Sequence, residues 1–447
     1  MPISPAREAA LYILERVEAG QSFAVDLLQS PRVSRLKDAD RRLTTELVMG
    51  VLRWRGDLDL EIEKLSAKPL SYFDPEVVEV LRLGIYQIRH LENIPAHAAV
   101  YESVEMVKAA RKRSAAGLVN AILRKCKRSP FEPGTAGAAA EYLERARLSI
   151  PSWIHERWQQ NFGDAEADSV TLASQSVPQT CLRASGSHFS REALRQELEE
   201  AGVQTELGAF GERALRVKSG NVLSTAAWRE GRVAIQDEAS QLVAALIRPE
   251  PGQRALDLCA APGIKAGQIA DDMREGTHVA CDRSLRRLRT MEKITRDPWP
   301  KAVARHVVLL DATHPLPFAT LFDRVLVDAP CSGTGTLARN PEIKWRLRRE
   351  DILRLAGEQL RILQNGLDAL APGGRLVYST CSLEPEENEQ VVAKALAGRH
   401  GHNQVRGDEL QREFPELAGL FDGGGAFHTR PGEQPLDGFF AVVIERV

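Results

Sequence analysis

Cysteine is scarce: six residues among 447, at 126, 181, 259, 281, 331 and 381, with no C-x-x-C pair. That excludes the disulfide framework of small secreted domains, and zinc-site spacing is missing too, so no metal is expected. Any cysteine with a task is therefore more readily catalytic, in a reducing compartment. No apolar run approaches the roughly 18–20 residues that span a bilayer, which excludes a membrane-spanning helix. The opening Met1-Pro2-Ile3-Ser4-Pro5-Ala6-Arg7-Glu8 lacks the basic-then-apolar pattern of a secretory signal, so a cytoplasmic location is expected. Neither sign of charge dominates. Fifty-nine Lys plus Arg against 61 Asp plus Glu leave −2, which argues against a uniformly basic nucleic-acid coat but permits local basic faces.

What is present suggests about three domains, at roughly 150 residues each. The first 130 residues read as helices, with Ala10, Ile13, Leu14 and Val17, then Leu43, Leu47, Val51 and Trp54, at helical spacing. Asp74-Pro75 supplies an N-cap and a first-turn proline ahead of Val78, Leu81, Ile85 and Ile88. A last helical stretch, 98–128, ends strongly basic: Lys108 to Arg128 holds eight Lys or Arg and no acid. It is either a solvated helix face or a phosphate-contacting surface. Ser129-Pro130-Phe131-Glu132-Pro133-Gly134 breaks the pattern as a linker. These signals predict a helical domain over 1–140 and a small α/β domain over 141–230, with a strand at Thr180–Arg183 and a helix over 191–201.

From 231 to 447 the rhythm changes to short apolar runs alternating with helices. Ala255–Leu258, His278–Cys281, His306–Leu310, Arg324–Val327 and Arg375–Tyr378 read as buried parallel strands of a doubly wound sheet. Ligands of such sheets bind beyond the carboxyl ends of the strands, and the unusual residues cluster there. Cys259-Ala260-Ala261-Pro262-Gly263-Ile264-Lys265 forms a tight strand-to-helix turn whose N–H groups can meet a ligand. It matches neither the Walker A nor the G-x-G-x-x-G pattern, which argues against an NTPase or a standard dinucleotide enzyme. Asp282 ends the second strand, where an acid commonly binds ribose hydroxyls or caps a helix. Asp311 ends the third. Asp328-Ala329-Pro330-Cys331 follows the fourth and Tyr378-Ser379-Thr380-Cys381 ends the fifth, which places two thiols in one cleft. A thiol is only a few per cent thiolate at neutral pH, so a cation such as Lys265 is a candidate activator.

The runs LDLCAAPGIK, DAPCSGTG and YSTCSLEPEENE closely resemble the RNA cytosine-C5 methyltransferases that use S-adenosylmethionine. Gln236-Asp237-Glu238-Ala239-Ser240 and Asp437-Gly438-Phe439-Phe440 match as well. The helical N-terminus, with Ile94-Pro95-Ala96-His97-Ala98-Ala99-Val100, resembles the NusB-type RNA-binding domain. Together they are similar to the RsmB-type (Sun/Fmu) enzymes of the RsmB/NOP family, across nearly the whole chain. The resemblance implies a NusB-like helical domain, a small α/β domain and a Rossmann-like methyltransferase domain, and methylation of one cytosine in small-subunit (16S) rRNA, naked or in a partial ribosomal particle.

It also implies the site. Cys381 would attack C6 of the base, Cys331 would assist release and Asp328 would contact N3. Lys265 stands with them as the cation. Cys259, Ala260, Ala261, Pro262, Gly263, Ile264 and Lys265 would surround the methionine part of S-adenosylmethionine, Asp282 the ribose and Asp311 the adenine side, with Asp328 close by. Spacing alone does not say which cysteine attacks. The covalent route has a chemical reason: C5 is a poor nucleophile until a thiolate adds at C6. Ile264 stands where the family has a second glycine, Ala266 where it has Thr, and Arg183-Ala184-Ser185 replaces Arg-X-Asn. A left-handed backbone at 264 would cost a β-branched residue on the order of 1–2 kcal/mol. Basic residues over 283–305 and 339–354 are further candidates for phosphate contact, and Trp345 either stacks on a base or anchors a loop. The alternatives are a cytosine-C5 methyltransferase of tRNA or another rRNA site, and a non-catalytic RNA-binding assembly factor.

Overall fold

The computed structural model describes residues 3–128, 136–186, 190–294 and 300–447. The expected linker at 129–134 lies outside them. The chain divides into two compact units, 1–177 with 337–346, and 178–336 with 347–447.

The first unit is helical. Its longest helix, Asp38–Ser66, packs against Pro5–Glu18 and Pro75–His90. Leu47, Val51, Leu58 and Ile62 meet Leu81, Ile85, Ile13 and Leu14 in one core, as the helical spacing requires. Pro75 does open its helix, but Asp74 makes no side-chain cap; its carboxylate takes Lys112 Nζ at 2.8 Å instead. The basic stretch is two helices, Ala96–Ala109 and Ala116–Lys125, rather than one. Helices Ala136–Leu148, Ser152–Phe162 and Asp164–Gln175 cluster with this unit, although the pattern placed residues from 141 onward with the small α/β domain. Arg145 explains part of this, because its guanidinium forks onto Asp57 of the long helix at 2.9 and 3.2 Å.

Residues 337–346 also belong to the helical unit, and for Lys344 and Arg346 the expected phosphate contact is corrected. Lys344 is wholly buried, donating to Arg53 O at 2.9 Å and Gln175 Oε1 at 3.3 Å. Arg346 donates to Val17 O and Ser22 O. Trp345 Nε1 donates to Leu52 O at 3.1 Å, so the indole anchors a loop. These donors are committed to helix ends and backbone carbonyls of the protein itself.

The second unit holds two sheets. Strands β1 (Cys181–Ala184), β2 (Gln204–Leu207), β3 (Ala214–Ser219) and β4 (Val233–Ile235) form a small antiparallel sheet in the order β2-β3-β1-β4. Leu194 and Leu198 of helix Arg191–Glu200 share a core with Leu182 and Leu215 of this sheet. The sheet thus extends past residue 230.

The large sheet contains β5 (Arg254–Asp257), β6 (Gly276–Asp282), β7 (Val303–Leu309), β8 (Phe322–Asp328), β9 (Leu370–Thr380), β10 (His402–Gln404), β11 (Ala426–Thr429) and β12 (Phe439–Arg446). The expected runs are found in β5 to β9, all parallel, in the order β9-β8-β5-β6-β7. Three further strands are antiparallel: β12 lies on β9, and β10 and β11 lie on β12. Strand order reverses between β5 and β8, so the crevice where such sheets bind ligands opens between their carboxyl ends.

Candidate active site

The turn after β5 is built for close approach. Gly263 has φ +101°, in the left-handed region where glycine is free of the Cβ penalty, and helix Ile264–Met273 starts directly after it. Ile264 is therefore the first helical residue and carries none of the left-handed strain that a second glycine would have suggested. Ala260 N donates to Cys281 O at 2.8 Å and Cys259 N to Asp257 Oδ1 at 3.2 Å, which ties this turn to the end of β6. Buried Asp282 ends β6; Arg287 pairs with it at 3.2 Å and also donates to Ala261 O. Asp311 lies two residues beyond β7, exposed, holding Thr313 N at 3.0 Å. The hydrogen bonds from Thr313 keep its carboxyl below the usual range.

Asp328, at the end of β8, accepts from Lys265 Nζ at 2.8 Å and from Ser379 Oγ at 2.9 Å. Burial pulls the Lys265 ammonium down, but the Asp328 carboxylate outweighs it and the net direction is up. The same ammonium sits 5.0 Å above the Phe439 ring. Asp257 is fully buried, and burial together with the Asp328 charge raises its carboxyl to about 8. Glycine-lined backbone, a helix N-terminus and buried acids at two strand ends thus suit a ligand with polar hydroxyls and positive charge, the donor set that S-adenosylmethionine needs.

The two thiols meet. Cys331 Sγ lies 3.3 Å from Cys381 Sγ, both half-buried. The hydrogen bond with Cys381, burial and the charge of nearby Glu387 push the Cys331 thiol well up. Gly335 N donates to Cys381 O at 3.0 Å, and Gly438 N to Gly335 O at 2.8 Å. A Cβ on Gly335 would stand 2.2 Å from Gly438 O, so the loop after Cys331 and the segment before β12 fit only because glycines face each other. Sequence reasoning passed over Asp257, Ser379 and Glu387, and gave Phe439 no role at the site. Only their positions next to the cysteine and strand-end motifs could have marked them. Among the described residues there is no cluster of His, Cys, Asp and Glu able to hold a metal, and no helix is long and apolar enough to cross a membrane.

The sheet with its crevice, matched by a methyltransferase family model, is that of an S-adenosylmethionine-dependent methyltransferase. The family model "16S rRNA methyltransferase RsmB/F" matches residues 244–445, a NusB family model matches 4–128, and a ferredoxin-like domain model of RsmF/B-like methyltransferases matches 150–223. The chain is 32% identical to "Probable ribosomal RNA small subunit methyltransferase B" of Bacillus subtilis (strain 168), over 98% of each chain. It is 34% identical to "Ribosomal RNA small subunit methyltransferase B" of Klebsiella pneumoniae, over 94% of this chain and 96% of that one. A solved methyltransferase homolog protein from Pyrococcus horikoshii superposes with TM-score 0.57 at 26% identity, covering 70% of this chain and all of the other. The chain belongs to the RsmB/F methyltransferase family.

Proposed function

We propose that this methyltransferase modifies C5 of a specific cytosine in small-subunit rRNA through a covalent bond between Cys381 and C6. The observation that carries the reading is the pair of thiols 3.3 Å apart beside the Lys265–Asp328 ion pair. Methylation of an exocyclic amine needs no thiol, and two at one strand-end cleft would be without purpose. The names of the relatives support rRNA as the substrate class.

Each side chain has a task. Cys381 adds to C6, which makes C5 enamine-like and nucleophilic. Lys265, bonded to Asp328 at 2.8 Å, is the cation of the cleft. After methyl transfer H5 leaves C5 to water and the C6–S bond breaks, and Cys331, held as a thiol by its surroundings, would protonate the departing Cys381 sulfur. Asp328, fixed by Lys265 and Ser379, would contact N3 of the base. Cys259 to Lys265, with Asp282 and Asp311, would hold S-adenosylmethionine, which when bound supplies the methyl group. A base in a duplex is shielded, so the target lies in a loop or is flipped out.

The test is nucleoside mass spectrometry of unmodified small-subunit rRNA after incubation with enzyme and S-adenosylmethionine. The expected product is 5-methylcytidine at one site. N4-methylcytidine, or no methylated nucleoside, would refute the proposal.

A further inference from the structure

Glu387 sits in the acidic run Glu384-Pro385-Glu386-Glu387-Asn388-Glu389, which reads as a solvated surface segment. Yet its side chain is wholly buried. Its carboxylate collects four donors. Oε1 accepts from Ser332 N and from Gln359 Nε2, both at 2.9 Å. Oε2 accepts from the hydroxyls of Ser332 and Ser382. Ser332 directly follows Cys331, and Ser382 directly follows Cys381. One carboxylate therefore ties together the residues adjoining both thiols.

The surrounding bonds give the clamp a fixed base. Gln359, on helix Arg349–Asp368, also donates to Pro330 O at 2.9 Å, just ahead of Cys331. Tyr378 on β9 donates to Glu387 O at 2.5 Å. Asn388 Nδ2 holds Ser382 O at 2.9 Å, while Thr334 Oγ1 receives Leu383 N at 2.9 Å. A buried carboxylate is costly, and an apolar core residue of similar size would usually stabilise as well or better. Its presence between two cysteine loops calls for a reason other than packing.

We infer that Glu387 is a positioning residue that holds the Cys331 loop in register with Cys381, so that the adduct formed on Cys381 can be released. This rests on the covalent reading proposed above. The two loops depend on the clamp unequally. Cys381 is continuous with β9, whereas the Cys331 loop follows β8 as irregular backbone and receives two of the four bonds through Ser332. Loss of the clamp therefore displaces Cys331 first, leaving attack possible and release impaired.

The variants are Glu387→Leu and Ser332→Ala in the full chain, with Cys331→Ala as control and Glu387→Gln as rescue. Leu fills a similar space but accepts none of the four bonds, whereas the Gln amide can accept at the Oε1 position and donate to the two hydroxyls, so it should restore most of the turnover. Each is assayed with S-adenosylmethionine and small-subunit rRNA for kcat, for the RNA KM, and for covalent protein–RNA complex on a denaturing gel. For Glu387→Leu and Ser332→Ala the expected result is kcat lower by about 10- to 100-fold with KM little changed, and a complex that accumulates as in Cys331→Ala. Melting temperature is measured alongside. A lowered melting temperature with normal kcat and no complex would make Glu387 merely structural. If Cys331→Ala accumulates complex and both clamp variants do not, the positioning role is overturned. If Cys331→Ala itself forms none, the covalent reading fails and this inference falls with it. Should Glu387→Leu not fold, Ser332→Ala alone decides.

Discussion

The residues of the site work by charge placement in a partly buried crevice. Asp257, Asp282 and Asp328 interact electrostatically; Lys265 pairs with Asp328 and Arg287 with Asp282. With the Asp257 carboxyl raised to about 8, from an ordinary value near 4, the folded cofactor-free protein holds a proton that the unfolded chain has released. Asp257 therefore favours folding most below about pH 4, and that contribution is lost as pH rises through about 8. Asp257→Asn should remove this decline and stabilise the cofactor-free protein at pH 8 by a few kcal/mol, read as a higher urea midpoint at that pH. An equal midpoint for both proteins would contradict it. At position 264 the expectation is reversed by the backbone. Since Gly263 carries the positive φ, Ile264→Gly relieves no strain and costs up to about 1 kcal/mol of helix stability. Calorimetry should find cofactor affinity unchanged; tighter binding would show that Ile264 crowds the site.

Among the elements, strand ends and the turns after them carry the function, and these were the legible part of the sequence. The motif residues following β5, β8 and β9 converge as expected because parallel strands present the same end to one crevice. Strands β10, β11 and β12 were not expected. Only Asp437-Gly438-Phe439-Phe440 drew attention there, and a family motif does not reveal that the apolar run after it extends the sheet antiparallel to β9. Glu387 was passed over for a related reason: composition reports what a segment is made of, and burial depends on which loops close over it. Trp345 and Lys344 follow the same logic, since a basic stretch can serve internal carbonyls as readily as phosphates. The facing glycines give this scale its own test. Gly335→Ala should force apart the Cys331 loop and the segment before β12, costing about 1–3 kcal/mol by overpacking and most of the turnover. A variant with wild-type turnover would show that the close approach is dispensable.

At the scale of the molecule, a near-neutral chain must concentrate its positive charge to bind RNA. Between Lys108 and Arg128 several cations are spent locally: Lys108 pairs with Glu105, Lys112 with Asp74, and Arg128 donates to the carbonyls of Leu91, Glu92 and Ile94. Arg111, Arg113, Arg124 and Lys127 are exposed and make no ion pair among the described residues. They are the part of that stretch available for phosphates. Replacing Arg113, Arg124 and Lys127 with Ala should weaken RNA binding and lower the slope of log affinity against log salt by about 0.7–0.9 for each phosphate no longer neutralised. An unchanged slope would remove this surface from the RNA-binding account. The helical domain, the small sheet and the methyltransferase sheet were each foreseeable from periodicity and motif. Their grouping into two units was not, because the placement of 136–175 and 337–346 depends on long-range bonds such as Arg145 to Asp57 and Lys344 to Arg53.

The central claim is that one thiol bonds the base and the other releases it. The most direct measurement is a denaturing gel of wild type, Cys331→Ala, Cys381→Ala and the double variant, each incubated with small-subunit rRNA and S-adenosylmethionine. The account predicts a covalent protein–RNA band in Cys331→Ala that disappears in the double variant. A band only in Cys381→Ala would reverse the roles, and no band in any lane, with no methyl transfer by wild type, would contradict the account outright.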